Sequence, residues 1–233
     1  PAVPFDTRRW PFFYGWWLLG MCVLCILASA PGQTTGVSAF VDVLLAASPL
    51  DRAQLATAYL VGTVLSACLL PYGGGLIDRY GSRRILLVSC NLLAATCWAL
   101  SGVDVASLRW AQWLAIDPFW PAFVLLALGF GCLRFSGQGM MVLCHQATIG
   151  HWFNRRRGTA TAISGAVLAV CGNATPWALH HLVVGCGWRE AWQLLALIIG
   201  PSFGLLAWIF WRDEPEACGW RPDGAAGNDA ASP

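Results

Sequence analysis

The sequence predicts an all-α membrane protein in which residues 1–212 form a bundle of six transmembrane helices. Three observations lead to this fold class: the composition, six long apolar runs and the distribution of arginine. Of the 233 residues, 57% are hydrophobic and 11% are charged, whereas a soluble domain carries roughly 25% charged residues. A surface so poor in charge suits lipid better than water, and the lipid bilayer is therefore the first partner that we expect.

The six apolar runs are each long enough to cross the hydrocarbon core as a helix, which takes about 20 residues. The first run is interrupted at Pro31-Gly32, and the fourth contains one charged residue, Arg134. The runs are continuously apolar and lack a period of two, which favours helices over the strands of a barrel. We place the helices at residues 12–45, 53–77, 84–103, 118–150, 158–184 and 190–211.

The basic residues indicate how the bundle is oriented, and all fourteen of them are arginines. With the N-terminus in the cytoplasm, ten arginines fall in inner segments, three fall in outer loops and Arg134 lies within a span. Cytoplasmic loops carry the excess of basic residues in membrane proteins. We therefore expect a multi-pass protein of the cell membrane with a cytoplasmic N-terminus. Residues 213–233 are expected to be a cytoplasmic linker or tail in solvent, and the polar segment 104–117 is expected to lie along the outer surface.

The strongest local pattern lies between the second and third predicted helices. We expect a tight cytoplasmic turn here, because glycines permit close approach of the backbone and arginines favour the anionic inner leaflet. The simpler interpretation is a basic inner loop with no further role. The segment reads Gly74-Gly75-Leu76-Ile77-Asp78-Arg79-Tyr80-Gly81-Ser82-Arg83-Arg84.

This pattern, Gly-x-Leu-x-Asp-Arg-x-Gly-x-Arg-Arg, resembles the loop signature that the major facilitator superfamily carries between its helices 2 and 3. Residues 152–160 and 214–224 are similar to segments of the monocarboxylate-transporter and oxalate/formate-antiporter branch, and the resemblance extends over residues 10–224. It implies the N-terminal half of a twelve-helix secondary transporter that works by alternating access. It also implies a second six-helix half as a partner, either a missing C-terminal half or another copy. The gating residues that it implies are Gly74, Asp78, Arg79, Gly81, Arg83 and Arg84.

Arg134 is the main candidate for a substrate-binding residue. A charge near the middle of a span costs roughly 2.5–3.5 kcal/mol on insertion scales, and steps of three or four residues place Gln138, Met141 and His145 on its helix face. A guanidinium in this position can pair with a carboxylate through two hydrogen bonds. The alternative is an arginine that carbonyls or polar neighbours hold for packing alone.

Polar residues on two other predicted helices complete the candidate site. Gln33 and Thr34 follow the Pro31-Gly32 break, where an interrupted helix exposes backbone groups that a substrate can use, and Asn173 lies in the fifth helix. The alternative is that the small and hydroxyl residues serve helix packing, which explains them equally well. For Asn173 the alternative is a hydrogen bond between helices. The predicted ligand is a small organic anion, a carboxylate, with a coupled proton or counter-anion. The predicted binding set is Arg134, Gln138, Gln33, Thr34 and Asn173.

Other functional classes lack their residues in this sequence. No cluster of His, Cys, Asp and Glu has the spacing of metal ligands, and no nucleophile–base pair is visible within the apolar runs. We therefore predict a protein that is not an enzyme, without catalytic residues, metal, cofactor or nucleic-acid partner. The alternative function is that of a truncated six-helix membrane protein that transports nothing and acts as an assembly partner or sensor.

Overall fold

A computed structural model describes residue 7 and residues 12–224, and within this part every regular element is a helix. Five helices are long and apolar enough to cross a membrane, whereas the apolar helix Tyr14–Ala28 has 15 residues. The five span Arg52–Tyr80, Ser82–Leu100, Phe119–Trp152, Arg157–Cys186 and Trp188–Phe210. The described part is thus an all-α protein with five candidate membrane spans. The helices are α1 (Tyr14–Ala28), α2 (Thr34–Ser38), α3 (Val41–Ala47), α4 (Arg52–Tyr80), α5 (Ser82–Leu100), α6 (Val103–Leu114), α7 (Phe119–Trp152), α8 (Arg157–Cys186) and α9 (Trp188–Phe210).

The chain before α4 forms three helices where we predicted one interrupted span over 12–45. The break falls at the predicted position, because a short 3-10 turn occupies Ala30–Gly32 between α1 and α2. Proline has no N–H to continue the helix. Gly32 lies against the backbone of α7, where an added Cβ would stand 2.3 Å from the carbonyl oxygen of Leu133. The break therefore brings the start of α2 directly onto α7.

The connection between α4 and α5 is shorter than the predicted turn over residues 74–84. Helix α4 continues to Tyr80 and α5 begins at Ser82, so that Gly81 alone connects them with a φ of +84°. Only glycine adopts this conformation without strain. The extent of the predicted turn was wrong because Ile77, which is 6% exposed, still packs on the bundle and keeps the last turns of α4 helical.

Close contacts between small residues hold α4 against α7. A Cβ added at Gly62 would stand 2.5 Å from the carbonyl oxygen of Ala127 and 2.6 Å from the nitrogen of Gly131. Such contacts allow two helix backbones to approach closely, which is how helices associate where lipid supplies no hydrophobic force. Helices α4 and α8 are nevertheless the least covered spans, since 22% and 11% of their most apolar windows are buried.

Residues 213–224, the described part of the predicted solvated linker, are mostly exposed or half-buried but contact the bundle at several points. Pro215 is buried, whereas Glu214, Glu216 and Arg221 are exposed. Asp213 and Asp223 accept hydrogen bonds from backbone nitrogens of the bundle. The composition of the segment did not reveal this, because its few large side chains find partners only in the folded bundle. Residues 225–233 lie outside the described residues.

Helix α6 follows the end of α5 within the segment 104–117 that we predicted outside the spans. Asp104 at its start receives two hydrogen bonds from Arg189 at the start of α9, one of them 2.8 Å long. Partial burial raises the pKa of Asp104, but the hydrogen bonds from Arg189 and the backbone outweigh it, and the pKa lies below its ordinary value of 3.8.

Replacing Asp104 with asparagine is expected to lower the free energy of unfolding by about 1–2 kcal/mol, because a charge-assisted pair is lost. The depressed pKa means that the pair stabilises the fold above the ordinary carboxyl pKa and that this stability is lost as the pH falls through the folded-state pKa. Between about pH 7 and about pH 2, the midpoint temperature of thermal unfolding should therefore fall more in the wild type than in Asp104→Asn. Equal shifts would contradict the prediction.

Candidate functional site

Arg134 opens a π-helical segment of α7, Arg134–Met141. Its guanidinium donates a hydrogen bond to the side-chain oxygen of Gln138. Met141 and His145, which we predicted on the same face, are instead buried, with exposed fractions of 0% and 7%. The wider π turn has i→i+5 hydrogen bonds and shifts the register of the face. A π turn within a helix often marks a functional site.

Arg134 reaches from α7 to α2 and α4. Its Nη1 donates to Oγ1 of Thr34 over 2.9 Å, and its Cζ lies 5.6 Å from the ring centroid of Tyr59. The hydroxyl of Tyr59 donates to the same Thr34 oxygen over 3.1 Å. We call Thr34, Tyr59, Arg134 and Gln138 the Arg134 cluster.

The charge of Arg134 has no acidic partner among the residues that the structure describes. The two ion pairs found there join Asp42 to Arg52 and Asp104 to Arg189. The Arg134 cluster therefore presents a positive charge that neutral oxygens and a ring hold in place. This geometry can accept an anion without first breaking an ion pair.

The other predicted binding residues lie outside this cluster. Gln33 is the neighbour of Thr34, and its amide donates to Oγ of Ser29 over 2.9 Å. The amide of Asn173 donates to the carbonyl oxygen of Ala169 within α8 over 2.7 Å. Tyr59 was not predicted from the sequence. The one feature that could have indicated it is its aromatic ring, because such a ring within an apolar span can face a cation.

The predicted gating residues divide into two groups at the end of the bundle where α4 meets α5. We call this the basic end. Oδ1 of Asp213 accepts hydrogen bonds from the backbone nitrogen of Arg83 over 2.6 Å and from Oγ of Ser82 over 2.9 Å. A carboxylate in this position stabilises the N-terminus of α5. Ser82 also accepts from the indole of Trp211 over 3.0 Å, so the connection is anchored to the end of α9.

The remaining predicted gating residues are open to solvent or lie within a helix. Asp78, Arg79 and Arg84 are exposed, and the guanidinium of Arg79 stands 5.3 Å from the ring centroid of Tyr80. Gly74 lies inside α4 with no atom within 4 Å of an added Cβ. An exposed Asp78 is free to engage another surface, and a gating role for it stays a prediction.

A second carboxylate joins the chain after α9 to the connection between α7 and α8. Asp223 accepts hydrogen bonds from the backbone nitrogens of Asn154, Arg155 and Arg156 at 3.1, 2.6 and 3.2 Å. Burial raises the pKa of Asp223, but these hydrogen bonds together outweigh it and hold the pKa below its ordinary value. Consecutive backbone N–H groups of this kind form an anion-binding nest, and neither partner is recognisable from sequence alone.

Replacing Gly81 with alanine is expected to lower the free energy of unfolding by about 1–3 kcal/mol, because φ is positive there. The new Cβ would also stand 2.9 Å from Oδ2 of Asp213. Gly74→Ala is the matched control, because its Cβ would meet no atom within 4 Å and alanine favours the helix by about 0.5–1 kcal/mol. Thermal unfolding followed by circular dichroism measures both, and equal midpoints would refute the prediction.

The described residues contain no group of three or more His, Cys, Asp and Glu that could hold a metal ion. No model of a protein family matches the chain, and no solved structure matches it. The chain is similar to the probable sulfoacetate transporter SauU of Cupriavidus necator, with 26% identity over 181 residues. That match covers 73% of this chain but 37% of the relative, so the chain spans little more than a third of the relative's length. Together with the five candidate spans, it supports transport in general.

Proposed function

We propose that this chain is the N-terminal six-helix half of a secondary transporter that moves a small organic anion by alternating access. The architecture would be that of the major facilitator superfamily, with α1 to α3 serving as the first span. The observation that carries this proposal is the Arg134 cluster. A guanidinium within an apolar span is costly, and here no carboxylate of the described residues offsets that cost.

The similarity to a probable sulfoacetate transporter supports an anionic substrate. Sulfoacetate combines a carboxylate with a sulfonate, and a guanidinium binds such planar or tetrahedral oxyanions through paired hydrogen bonds. In this proposal Arg134 binds the anion, Gln138 and Thr34 orient the guanidinium, and Tyr59 forms the neighbouring wall. Asn173 would reach the anion from α8, and Gln33 would line the entry from α2.

The open surfaces of α4 and α8 support a second half as the partner. Glycines at positions 158, 165 and 172 of α8 repeat every seven residues, and added Cβ atoms there would meet nothing within 4 Å. Small residues on a membrane helix allow another helix to pack closely. The second half would cover these surfaces and supply the remaining wall of the anion site.

The basic end would face the cytoplasm in this arrangement, following the excess of arginine. Asp78, which is exposed there, would contact the second half in one of the two alternating states. Asp213 would keep the connection between α4 and α5 rigid, so that the gate moves with the bundle.

Calorimetric titration of the purified chain in detergent micelles tests the proposal. Sulfoacetate and acetate should bind saturably and compete with each other, and neutral acetamide of similar shape should not bind. Binding of acetamide as tight as that of acetate would contradict an anion site. The absence of any anion binding would favour the truncated assembly partner or sensor.

A further inference from the structure

An open cleft lies between α7 and α8 near the basic end, apart from the Arg134 cluster. Its volume is about 300 Å³, and Ile26 of α1 bounds it on the third side. Its walls include Val142, Gln146 and Gly150 from α7 and Arg157, Thr161 and Gly165 from α8. We call this cavity the α7–α8 cleft.

The cleft continues the exposed face of α7 that begins at the Arg134 cluster. Val142 and Gln146 lie one turn apart on α7 after the π-helical segment, and both line the cleft. Gln138 and Gln146 are exposed and Val142 is half-buried. The distance along α7 from Arg134 to Gly150 is about 20–24 Å, so the two ends of this path cannot hold one small anion together.

Arg157 is fixed at the end of the cleft by backbone carbonyls. Its Nη2 donates to the oxygen of Gly150 over 2.7 Å, and its Nε donates to the oxygen of Phe153 over 3.3 Å. A guanidinium has further N–H donors, and neither ion pair within the described ranges involves Arg157. The guanidinium is thus held in position while part of it remains available to an anion.

The lining of the cleft is largely apolar, and its polar groups lie beside Arg157 without an acid among them. Thr161 places a hydroxyl along α8, and Gln146 places an amide opposite it on α7, whereas the hydroxyl of Ser164 donates to the carbonyl oxygen of Thr161 over 3.0 Å. His145 closes the wall with its imidazole against the backbone of Cys22. Hydroxyl and amide donors around one guanidinium suit an oxyanion of carboxylate or sulfonate type.

We propose that the α7–α8 cleft is a second anion site, with Arg157 as its ligand, at which the small organic anion of the Arg134 cluster is captured or released. This inference rests on the proposed function, because it assigns the site to the same solute. An anionic lipid headgroup shares this chemistry, and the test below separates the two sources.

The test measures sulfoacetate binding to the purified chain in an Arg134→Gln background. Residual saturable binding is expected there, and it should weaken at least about tenfold when Arg157→Gln is added, because a charge-assisted bond is lost. Arg155→Gln is the matched control from the same connection and should leave the residual binding unchanged. The charge-conserving Arg157→Lys should retain part of it.

Arg157→Gln also removes the hydrogen bonds from Arg157 to backbone carbonyls. A variant that fills the cleft with a larger side chain tests the site without removing them. Gly165 lines the cleft and Gly172 does not, and an added Cβ meets nothing within 4 Å at either position. Gly165→Leu should therefore abolish the residual binding, and Gly172→Leu should preserve it. Loss with both variants or with neither would overturn the proposal.

Four further results separate the possible failures. No residual binding in Arg134→Gln, or equal binding by the Arg157→Gln and Arg155→Gln variants, overturns the second site. Unchanged binding in Arg134→Gln compared with wild type overturns the proposed function instead. Displacement of sulfoacetate in nanodiscs of phosphatidylglycerol, but not of phosphatidylcholine, overturns the solute assignment and makes the cleft a lipid headgroup site.

Discussion

Replacing Arg134 with glutamine is expected to weaken the binding of sulfoacetate at the Arg134 cluster about 10- to 100-fold. The substitution removes a charge-assisted hydrogen bond worth roughly 1.5–3 kcal/mol, and each 1.4 kcal/mol is about a factor of ten in affinity. Arg134→Lys should lose less, because the charge stays while the paired geometry is lost. Titration calorimetry measures the affinities of the wild type, Arg134→Gln and Arg134→Lys for sulfoacetate.

Stability separates this ligand role from a packing role for Arg134. An arginine in a span costs roughly 2.5–3.5 kcal/mol to insert, so Arg134→Gln should melt at the same temperature as the wild type or higher. If Arg134 served packing through Thr34 and Gln138 alone, the variant would lose stability and keep its affinity. Arg109→Gln is the control, because Arg109 is an exposed residue of α6 that contacts no member of the Arg134 cluster, and it should change neither quantity.

Replacing Gly32 with alanine is expected to disrupt the Arg134 cluster and to destabilise the fold by about 1–3 kcal/mol or more, the range for overpacked contacts. An added Cβ would stand 2.3 Å from the carbonyl oxygen of Leu133 and 2.8 Å from Cα of Gly137. These are backbone atoms of α7, which cannot rotate away as a side chain can. The start of α2 would have to move, and Thr34 would move with it away from Arg134.

Gly172→Ala is the matched control for Gly32→Ala, because its Cβ would meet no atom within 4 Å. The midpoint of thermal unfolding and the affinity for sulfoacetate should both fall in Gly32→Ala. The control should keep the wild-type affinity and should unfold at the wild-type temperature or slightly above it, because alanine favours a helix over glycine. Wild-type affinity in Gly32→Ala would mean that the contact between α2 and α7 does not shape the site.

The apolar runs and the Pro31-Gly32 break were sufficient to predict an all-helical membrane fold and the interruption before α2. The same break led to Thr34, and the charge within the fourth run led to Arg134, so two members of one contact were recognisable from residue chemistry alone. Gln138 followed from helical spacing. The predicted face failed at Met141 and His145, because the π turn depends on how α7 packs and not on its own sequence.

The contacts at the basic end could not be predicted for a different reason. Asp213 and Asp223 lie in a segment whose composition is typical of linkers, and each binds backbone N–H groups far away in the sequence. Backbone donors carry no sequence signal, so a carboxylate that binds them looks like any exposed acid. Tyr59 was missed likewise, because an aromatic residue in an apolar helix is ordinary until the fold places a guanidinium beside it.

Counterflow of labelled sulfoacetate into liposomes tests the central claim most directly. The chain would be reconstituted together with its proposed second half in vesicles preloaded with unlabelled sulfoacetate. We predict transient accumulation of the label, which Arg134→Gln abolishes and Arg109→Gln preserves. Accumulation that persists in Arg134→Gln, or acetamide counterflow equal to that of sulfoacetate, would contradict an anion transporter built around Arg134.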